Sequence, residues 1–386
     1  MNKFTKPIYV TKAFLPPIEE YTKKIESIWE NNWITNNGPI HNEFEKKIEK
    51  YLNAENINLF VNGHLALDIA IKAMELKGEV ITTPFTFAST THAIVSNNLT
   101  PVFCDIKLDD FTIDENKIEE LITERTSAIM PVHVFGYPCN VDKINKIAQK
   151  HDLKVIYDAA HVFGVEVDGV GIGNFGDISM FSLHATKVYN SIEGGLLTFK
   201  DNKLKRKLNL YKNFGISGEE SIELAGLNAK MNEFQATMGL LNLKYVDEQI
   251  NNRKKIASIY RKELKEIKGI YYLEDKEGVK HNYSYFPIII EDEHLGINRD
   301  EIYEILKRYN VFTRKYFYPL VTDFQCYRGK YKCSHLINAK YIANKVLTLP
   351  IYGQLSEDDA VRIIKILKYI IENKDCVKEV AITKDE

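Results

Sequence analysis

No run of apolar residues in this sequence is long enough to span a bilayer, and no Cys-x-x-Cys pair occurs. The first absence excludes a helical membrane protein. The second, with cysteines scattered at positions 104, 139, 326, 333 and 376, argues for free thiols and against a zinc ribbon or a disulfide framework. Charge of one sign is also missing. Lys and Arg number 51 against 53 Asp and Glu, so no global field draws the chain to nucleic acid or an anionic membrane. No helix-turn-helix or basic arm stands out. His133, His161 and His184 lack HxxxH or HExxH spacing, so no metal is expected. The start, Met1-Asn2-Lys3-Phe4-Thr5-Lys6, has no apolar signal core. With the unpaired cysteines, this points to a cytoplasmic protein.

What is present is enough for a large core: 386 residues, 45% of them apolar. From about Leu59 to Phe199 short β-rich runs alternate with helical patterns. The runs are Glu79–Thr83, Val102–Asp105, Ser127–Val134, Lys154–Asp158, Ile178–Ser182 and Gly195–Phe199. This alternation predicts an α/β fold with a mainly parallel sheet covered on both faces. Longer helices are expected over Ala229–Val246 and Asn251–Ile267. After about Asp275 the texture becomes strand–helix–strand–helix: Ser284–Ile290, Arg299–Tyr309, Val311–Thr313 and Ser356–Asn373. In the last helix Ile363, Ile364, Leu367, Ile370 and Ile371 fall on one stripe. The expected organisation is an N-terminal segment, 1–30, on a small C-terminal α+β domain, 271–386, with a large α/β domain, 31–270, between them. The charged tail from Lys374 is expected to fray.

In such sheets ligands sit at the carboxyl ends of the strands, and chemistry-bearing residues gather there. Asn62-Gly63-His64 opens the apolar helical stretch His64–Leu76. Gly63 would let a phosphate approach the backbone amides, although Asn62 as an ordinary helix cap explains the same letters. Phe85 and Phe87 follow a strand, and either fits a core. Asp158 ends the run Lys154–Tyr157, and a buried Asp is rare without a partner. His161, three residues on, fits a core histidine equally well. Ser182-Leu183-His184-Ala185-Thr186-Lys187 follows directly on the strand Ile178–Phe181, and Glu193-Gly194-Gly195 leads back into the next. Lys187 therefore lies on a loop between two strands, where desolvation would lower its pKa. An amine, a carboxylate and a phosphate cradle at one sheet edge are what pyridoxal 5'-phosphate (PLP) requires, with Ser182 as a further phosphate ligand. Gly171-Ile172-Gly173-Asn174-Phe175-Gly176 matches GxGxxG. It precedes a strand rather than a helix, so a tight turn is expected there, not a dinucleotide site.

Taken in order, six segments resemble the DegT/DnrJ/StrS-type family of sugar aminotransferases, a branch of the fold-type I PLP enzymes. They are Trp33-Ile34-Thr35-Asn36-Asn37-Gly38-Pro39, Val61–Leu67, Thr83-Pro84-Phe85-Thr86-Phe87-Ala88-Ser89, Tyr157-Asp158-Ala159-Ala160-His161, Phe181–Lys187 with Glu193-Gly194-Gly195, and Gly226–Ala236. The resemblance implies that Lys187 bonds covalently to PLP, that Asp158 partners the pyridine nitrogen, and that Phe87 stacks on the ring. It implies a phosphate cradle at Gly63 and His64, where the family more often has Thr or Ser in place of His64. Ser182 then supplies a hydroxyl, His161 lies near the ring hydroxyl, and Asn228 reaches the phosphate of the neighbouring subunit's cofactor.

A homodimer with shared active sites follows from the same resemblance. It also implies a nucleotide-linked keto sugar as acceptor, with dTDP-4-keto-6-deoxyglucose its nearest form, and L-glutamate as donor. Thr35, His184, Arg314, Tyr316 and Tyr318 are its expected substrate-side residues. In this family His-x-x-Lys with Glu-Gly-Gly accompanies amination at the 4-keto carbon, and His184, Lys187 and Glu193–Gly195 carry that pattern. The rival readings are amination at a 3-keto carbon and a PLP-binding regulator without catalysis.

Overall fold

Seven short strands carry the molecule, all within residues 1–375, which the computed structural model describes. The tail expected to fray lies outside those residues from Cys376 on. The strands are β1 (Asn56–Phe60), β2 (Glu79–Thr82), β3 (Thr100–Phe103), β4 (Thr126–Met130), β5 (Lys154–Asp158), β6 (Ile178–Ser182) and β7 (Gly195–Phe199). Their order across the sheet is β1-β7-β6-β5-β4-β2-β3. The pairs β3–β2, β2–β4, β4–β5 and β5–β6 are parallel. Only β7 runs antiparallel to its neighbours, because the chain returns to it from β6 through the loop 183–194 with no crossover helix.

The differences from the expected strands have local causes. β4 stops at Met130 because Pro131 has no N–H to give a ladder; its carbonyl instead accepts from the Asp158 amide at 2.9 Å. β1 was not expected, since asparagine is a poor strand former. Its Asn58 is nevertheless fully buried, with Nδ2 donating to Asn209 Oδ1 at 2.9 Å and Oδ1 accepting from Lys212. The segment Gly171–Gly176 is a turn ahead of β6, and Gly176 takes φ +72°.

Helix Gly63–Ala73 begins where Asn62 Oδ1 accepts the Leu65 amide at 2.8 Å. It is buried nearly all round because it packs on β7, β6 and the helix Ala88–Ser96. A Cβ at Gly195 would lie 2.3 Å from the Asn62 carbonyl oxygen, so only glycine lets β7 close against this helix start. The expected helix 229–246 is shorter, Glu233–Asn242, because Asn232 and Gln235 form a capping box and the Ala229 carbonyl bonds the Val61 amide at 2.8 Å. Helix Pro39–Leu52 is capped from far along the chain. The buried Glu233 carboxylate accepts the Ile40 and His41 amides at 2.8 and 2.9 Å.

A second core surrounds the antiparallel sheet formed by Ile270–Tyr272, Phe286–Ile290 and Val346–Leu349, with Phe286–Ile290 in the centre. The last helix, Glu357–Glu372, starts at Ser356, whose Oγ accepts the Asp359 amide at 3.1 Å. Ile363, Ile364, Leu367 and Ile370 of its predicted stripe are fully buried, and Ile371 packs at the edge. Helix Val246–Leu264 serves both cores. Val246 and Ile250 pack in the large one, whereas Ile256, Ala257, Tyr260 and Leu264 pack in the small one. The two cores therefore divide inside this helix, ahead of residue 270. The N-terminal segment divides too. Phe4 packs in the small core and Ile8–Tyr9 pairs with Val311–Phe312, whereas Ile28 of helix Ile18–Asn31 packs in the large core. The strand expected at Val311–Thr313 is reduced to that two-residue pairing.

Replacing Glu233 by Ala strands two buried amides and should lower stability by about 2–3 kcal/mol. Thermal unfolding followed by circular dichroism reads this as a depressed midpoint. An unchanged midpoint would mean that the helix cap is dispensable.

Candidate active site

The carboxyl ends of β1, β2, β4, β5 and β6 open on one cleft of about 620 Å³. Each strand delivers a side chain through the turn that follows it. β1 leads to Asn62, Gly63 and His64, and β2 to Thr86, Phe87, Ser89 and His92. β5 ends in Asp158 and continues to His161, while β6 ends in Ser182 and continues to Lys187. The small lobe closes the far wall with Tyr285, Tyr316 and Phe317.

Asp158 is 5% exposed. Its Oδ2 accepts from Thr90 Oγ1 at 2.7 Å and its Oδ1 from the Ala160 amide at 3.1 Å. Thr90 is held in turn by Thr86 Oγ1 at 2.8 Å. Burial pushes the Asp158 carboxyl above its ordinary value; the Thr90 hydroxyl, the Ala160 amide and the charge of Lys187 oppose this. Lys187 shows the reverse effect. Burial lowers its ammonium pKa, and Asp158 and Tyr316 pull it back up. His161, 6% exposed, is held well below its usual range by burial and by Lys187. Its Nδ1 accepts the Phe135 amide at 3.2 Å, which makes it an acceptor at that atom.

The opposite end of the cleft suits an anion. Gly63 and His64 open the helix Gly63–Ala73, and Asn62 takes only the Leu65 amide. A Cβ at Gly63 would press on Met180 Sδ at 3.1 Å and Ser182 Cβ at 3.3 Å, so the cradle is closely fitted. His64 Nδ1 and Ser89 Oγ lie 2.9 Å apart. Phe87 stands 63% exposed at the cleft, presenting an uncovered aromatic face. A buried acceptor carboxylate, an amine of lowered pKa, a bare ring and a helix N-terminus are the donor and acceptor set that a phosphorylated pyridine aldehyde needs, so these residues fit PLP. His184 Nδ1 bonds Thr186 Oγ1 at 2.8 Å, and its Nε2 lies 3.4 Å from Glu193 Oε1 at the mouth.

Of the residues singled out in the sequence, Gly63, His64, Phe87, Asp158, His161, Ser182, His184, Lys187 and Tyr316 meet in this cleft. Thr35, Asn228, Arg314 and Tyr318 are not among the residues lining it within one chain. Asn228 is exposed, with its Oδ1 accepting from Lys230 Nζ at 3.0 Å. The Tyr318 ring lies beneath the Arg299 guanidinium at 4.7 Å. The sequence reading missed Thr90, His92, Tyr285 and Phe317. Thr90 lies in the first turn of helix Ala88–Ser96 and Thr86 just ahead of that helix, and nothing in the sequence ties them to Asp158.

The sequence-family model described as "DegT/DnrJ/EryC1/StrS aminotransferase family" matches residues 17–368. A dTDP-4-amino-4,6-dideoxy-D-glucose transaminase of Shigella dysenteriae is 46% identical over 366 residues, covering 95% of this chain and 98% of its own length. The Escherichia coli protein of the same name is 45% identical, covering 94% of this chain and 98% of its own length. Among solved structures, that of DesI in the presence of its TDP-sugar product superposes with a TM-score of 0.93 at 31% identity, over 100% of this chain and 97% of the other.

The raised Asp158 carboxyl has a consequence for stability. Between its ordinary and its raised pKa the folded chain binds more protons than the unfolded one, so stability falls as pH rises through that window. Asp158→Asn removes this fall. Relative to wild type, the cofactor-free variant should gain stability as pH rises from about 4 toward neutrality, then hold that gain. Urea unfolding across that pH range measures it, and a pH-independent difference would show that ionised Asp158 is not under strain.

Proposed function

The chain belongs to the DegT/DnrJ/EryC1/StrS aminotransferase family, and on that premise we propose that it moves an amino group from L-glutamate to the 4-keto carbon of a nucleotide-linked sugar, using PLP. The substrate is dTDP-4-keto-6-deoxyglucose and the product dTDP-4-amino-4,6-dideoxyglucose. The observation that carries the reading is the meeting of Lys187 and Asp158 in one desolvated cleft beside the Gly63 cradle. Support for the sugar comes from the relatives at 45–46% identity, whose names specify that amino sugar.

When bound, PLP supplies an electron-accepting ring and a carbonyl that carries nitrogen from donor to acceptor. Asp158 would hold the ring nitrogen protonated, since a buried carboxylate is stabilised by a cation at hydrogen-bond range. Gly63, His64 and Ser182 would hold the phosphate, and Phe87 would cover one ring face. His161, neutral and facing the same cleft, would meet the ring hydroxyl. Lys187 attaches the cofactor at rest. Its Nζ would serve as the base and acid that holds and moves a proton at the cleft, a task that needs an amine able to exist unprotonated. His184, tied to Thr186 and Glu193 at the mouth, and Tyr316 on the small lobe would face the sugar.

The assembly is a homodimer with shared sites. Large apolar side chains stand exposed at Trp33, Ile34, Phe87, Ile192, Phe214 and Ile222, which supports a partner surface around the cleft. Asn228, close to Phe214 in the chain, would then reach the partner's cofactor phosphate, and Thr35, Arg314 and Tyr318 would serve the sugar nucleotide. The free thiols of Cys104, Cys139, Cys326 and Cys333 support a cytoplasmic setting. No helix among the described residues is long and apolar enough to cross a membrane.

Borohydride reduction of the PLP-loaded protein, followed by peptide mass spectrometry, should place the label on Lys187. Lys187→Ala should lose about a thousand-fold or more in turnover. A label on another lysine sinks the mechanism. NMR of the product should show nitrogen on carbon 4, and nitrogen on carbon 3 would overturn the regiochemistry alone. For the shared site, Lys187→Ala and Asn228→Phe chains, each inactive alone, should recover about a quarter of wild-type activity after random subunit exchange. No recovery after verified exchange would exclude sharing.

A further inference from the structure

Tyr285 belongs to the small lobe, immediately before its central strand Phe286–Ile290, yet it enters the cleft of the large one. It is 5% exposed, and Nζ of Lys187 lies over its ring, 5.9 Å from the centroid. That is inside the range over which an ammonium is drawn to the negative face of an aromatic ring. The ring is held on several sides: tilted on His161 at 4.8 Å, edge-on to Tyr316 at 5.6 Å and to Phe135 at 6.0 Å. Its hydroxyl lies beside Thr186, the residue before Lys187, and the Thr186 side chain lowers the phenol's pKa against the effect of burial. The backbone leading to it is fixed as well. Buried Arg253 donates to the Ser284 carbonyl at 3.2 Å and to the Ile351 carbonyl at 3.0 Å, and Asn282 Oδ1 accepts the Ser284 amide at 3.1 Å.

We propose that Tyr285 is a positioning residue for Lys187: its ring face receives the protonated amine whenever that amine is not covalently engaged, and its hydroxyl steadies the segment that carries the lysine. The inference rests on the reading of Lys187 as the cofactor-bearing lysine. The charged and titratable groups around the amine are few. Asp158 lies across the cleft, His161 is held neutral, Tyr316 stands on the small lobe, and His184 and Glu193 pair with each other at the mouth. Once Asp158 is committed to the ring nitrogen, Tyr316 and the Tyr285 face are what remain to steady an ammonium. An aromatic face does so without accepting the proton, which stays on the amine. Burial pushes the Tyr285 hydroxyl up to about 12, so it stays a neutral phenol at working pH.

The test uses the full-length chain without cofactor. The protonation midpoint of Lys187 is read from the pH dependence of its acetylation by trace acetic anhydride, quantified by peptide mass spectrometry. Tyr285→Phe keeps the ring and should leave the midpoint nearly unchanged. Tyr285→Leu should lower it by about half a unit to one unit. Phenylalanines bearing increasing numbers of ring fluorines at position 285 keep the shape while draining the negative face, and should lower the midpoint stepwise. That series also decides the matter if Tyr285→Leu does not fold. A midpoint unchanged across the fluorinated series overturns the proposal. The same preparations, loaded with PLP and reduced with borohydride, report separately on Lys187: absence of label there would remove the cofactor reading while the titration still answers for Tyr285.

Discussion

Asp158 is buried and Lys187 partly buried in one cleft, and each resists being charged there. Most of the surrounding structure answers that constraint. Thr86 and Thr90 form a short hydroxyl chain that ends on the Asp158 carboxylate, and the Ala160 amide meets its other oxygen. His161 is kept neutral, so it adds no third charge. The wall opposite is aromatic, built from Tyr285, Tyr316 and Phe317. Desolvation makes the site costly to hold and reactive for the same reason: fixed dipoles stand where water would otherwise screen.

Several segments that look chemical in the sequence are architectural, and they decide where the chemistry stands. Gly38-Pro39 and Asn232-Glu233 meet each other, with Glu233 capping the helix that starts at Pro39. Gly195 lets β7 touch the Asn62 backbone, which aligns the start of helix Gly63–Ala73 with the end of β6.

Lys187 and Asp158 stand out in the sequence because each follows a clear β-rich run at its carboxyl end, where a charged residue is out of place in a core, and the structure brings both to one cleft. The start of helix Gly63–Ala73 was legible as a cap followed by an apolar run. Thr90 was not, because a threonine on a helix gives no sign of which carboxylate it serves. Tyr285 was hidden by distance along the chain, since its strand belongs to a different core from that of Asp158. β1 escaped because its buried Asn58 is satisfied by Asn209 and Lys212 on helix Asn202–Lys212, a pairing visible only in three dimensions. The passage between the cores is hidden for a related reason: a continuous helix shows no break in sequence where it passes from one core to the other.

The closure of early segments by late ones also bears on how the chain emerges from a ribosome. β1 is hydrogen-bonded in the sheet only to β7, so residues 56–60 have no strand partner until residue 199 has been made. Helix Pro39–Leu52 waits for Glu233 to cap it, and Ile8–Tyr9 waits for Val311–Phe312. The amino-terminal quarter is therefore synthesised well before its partners exist, with its apolar faces uncovered in the interval. Vectorial synthesis of this fold leaves apolar surface and unpaired strand edges exposed until the late partners are made.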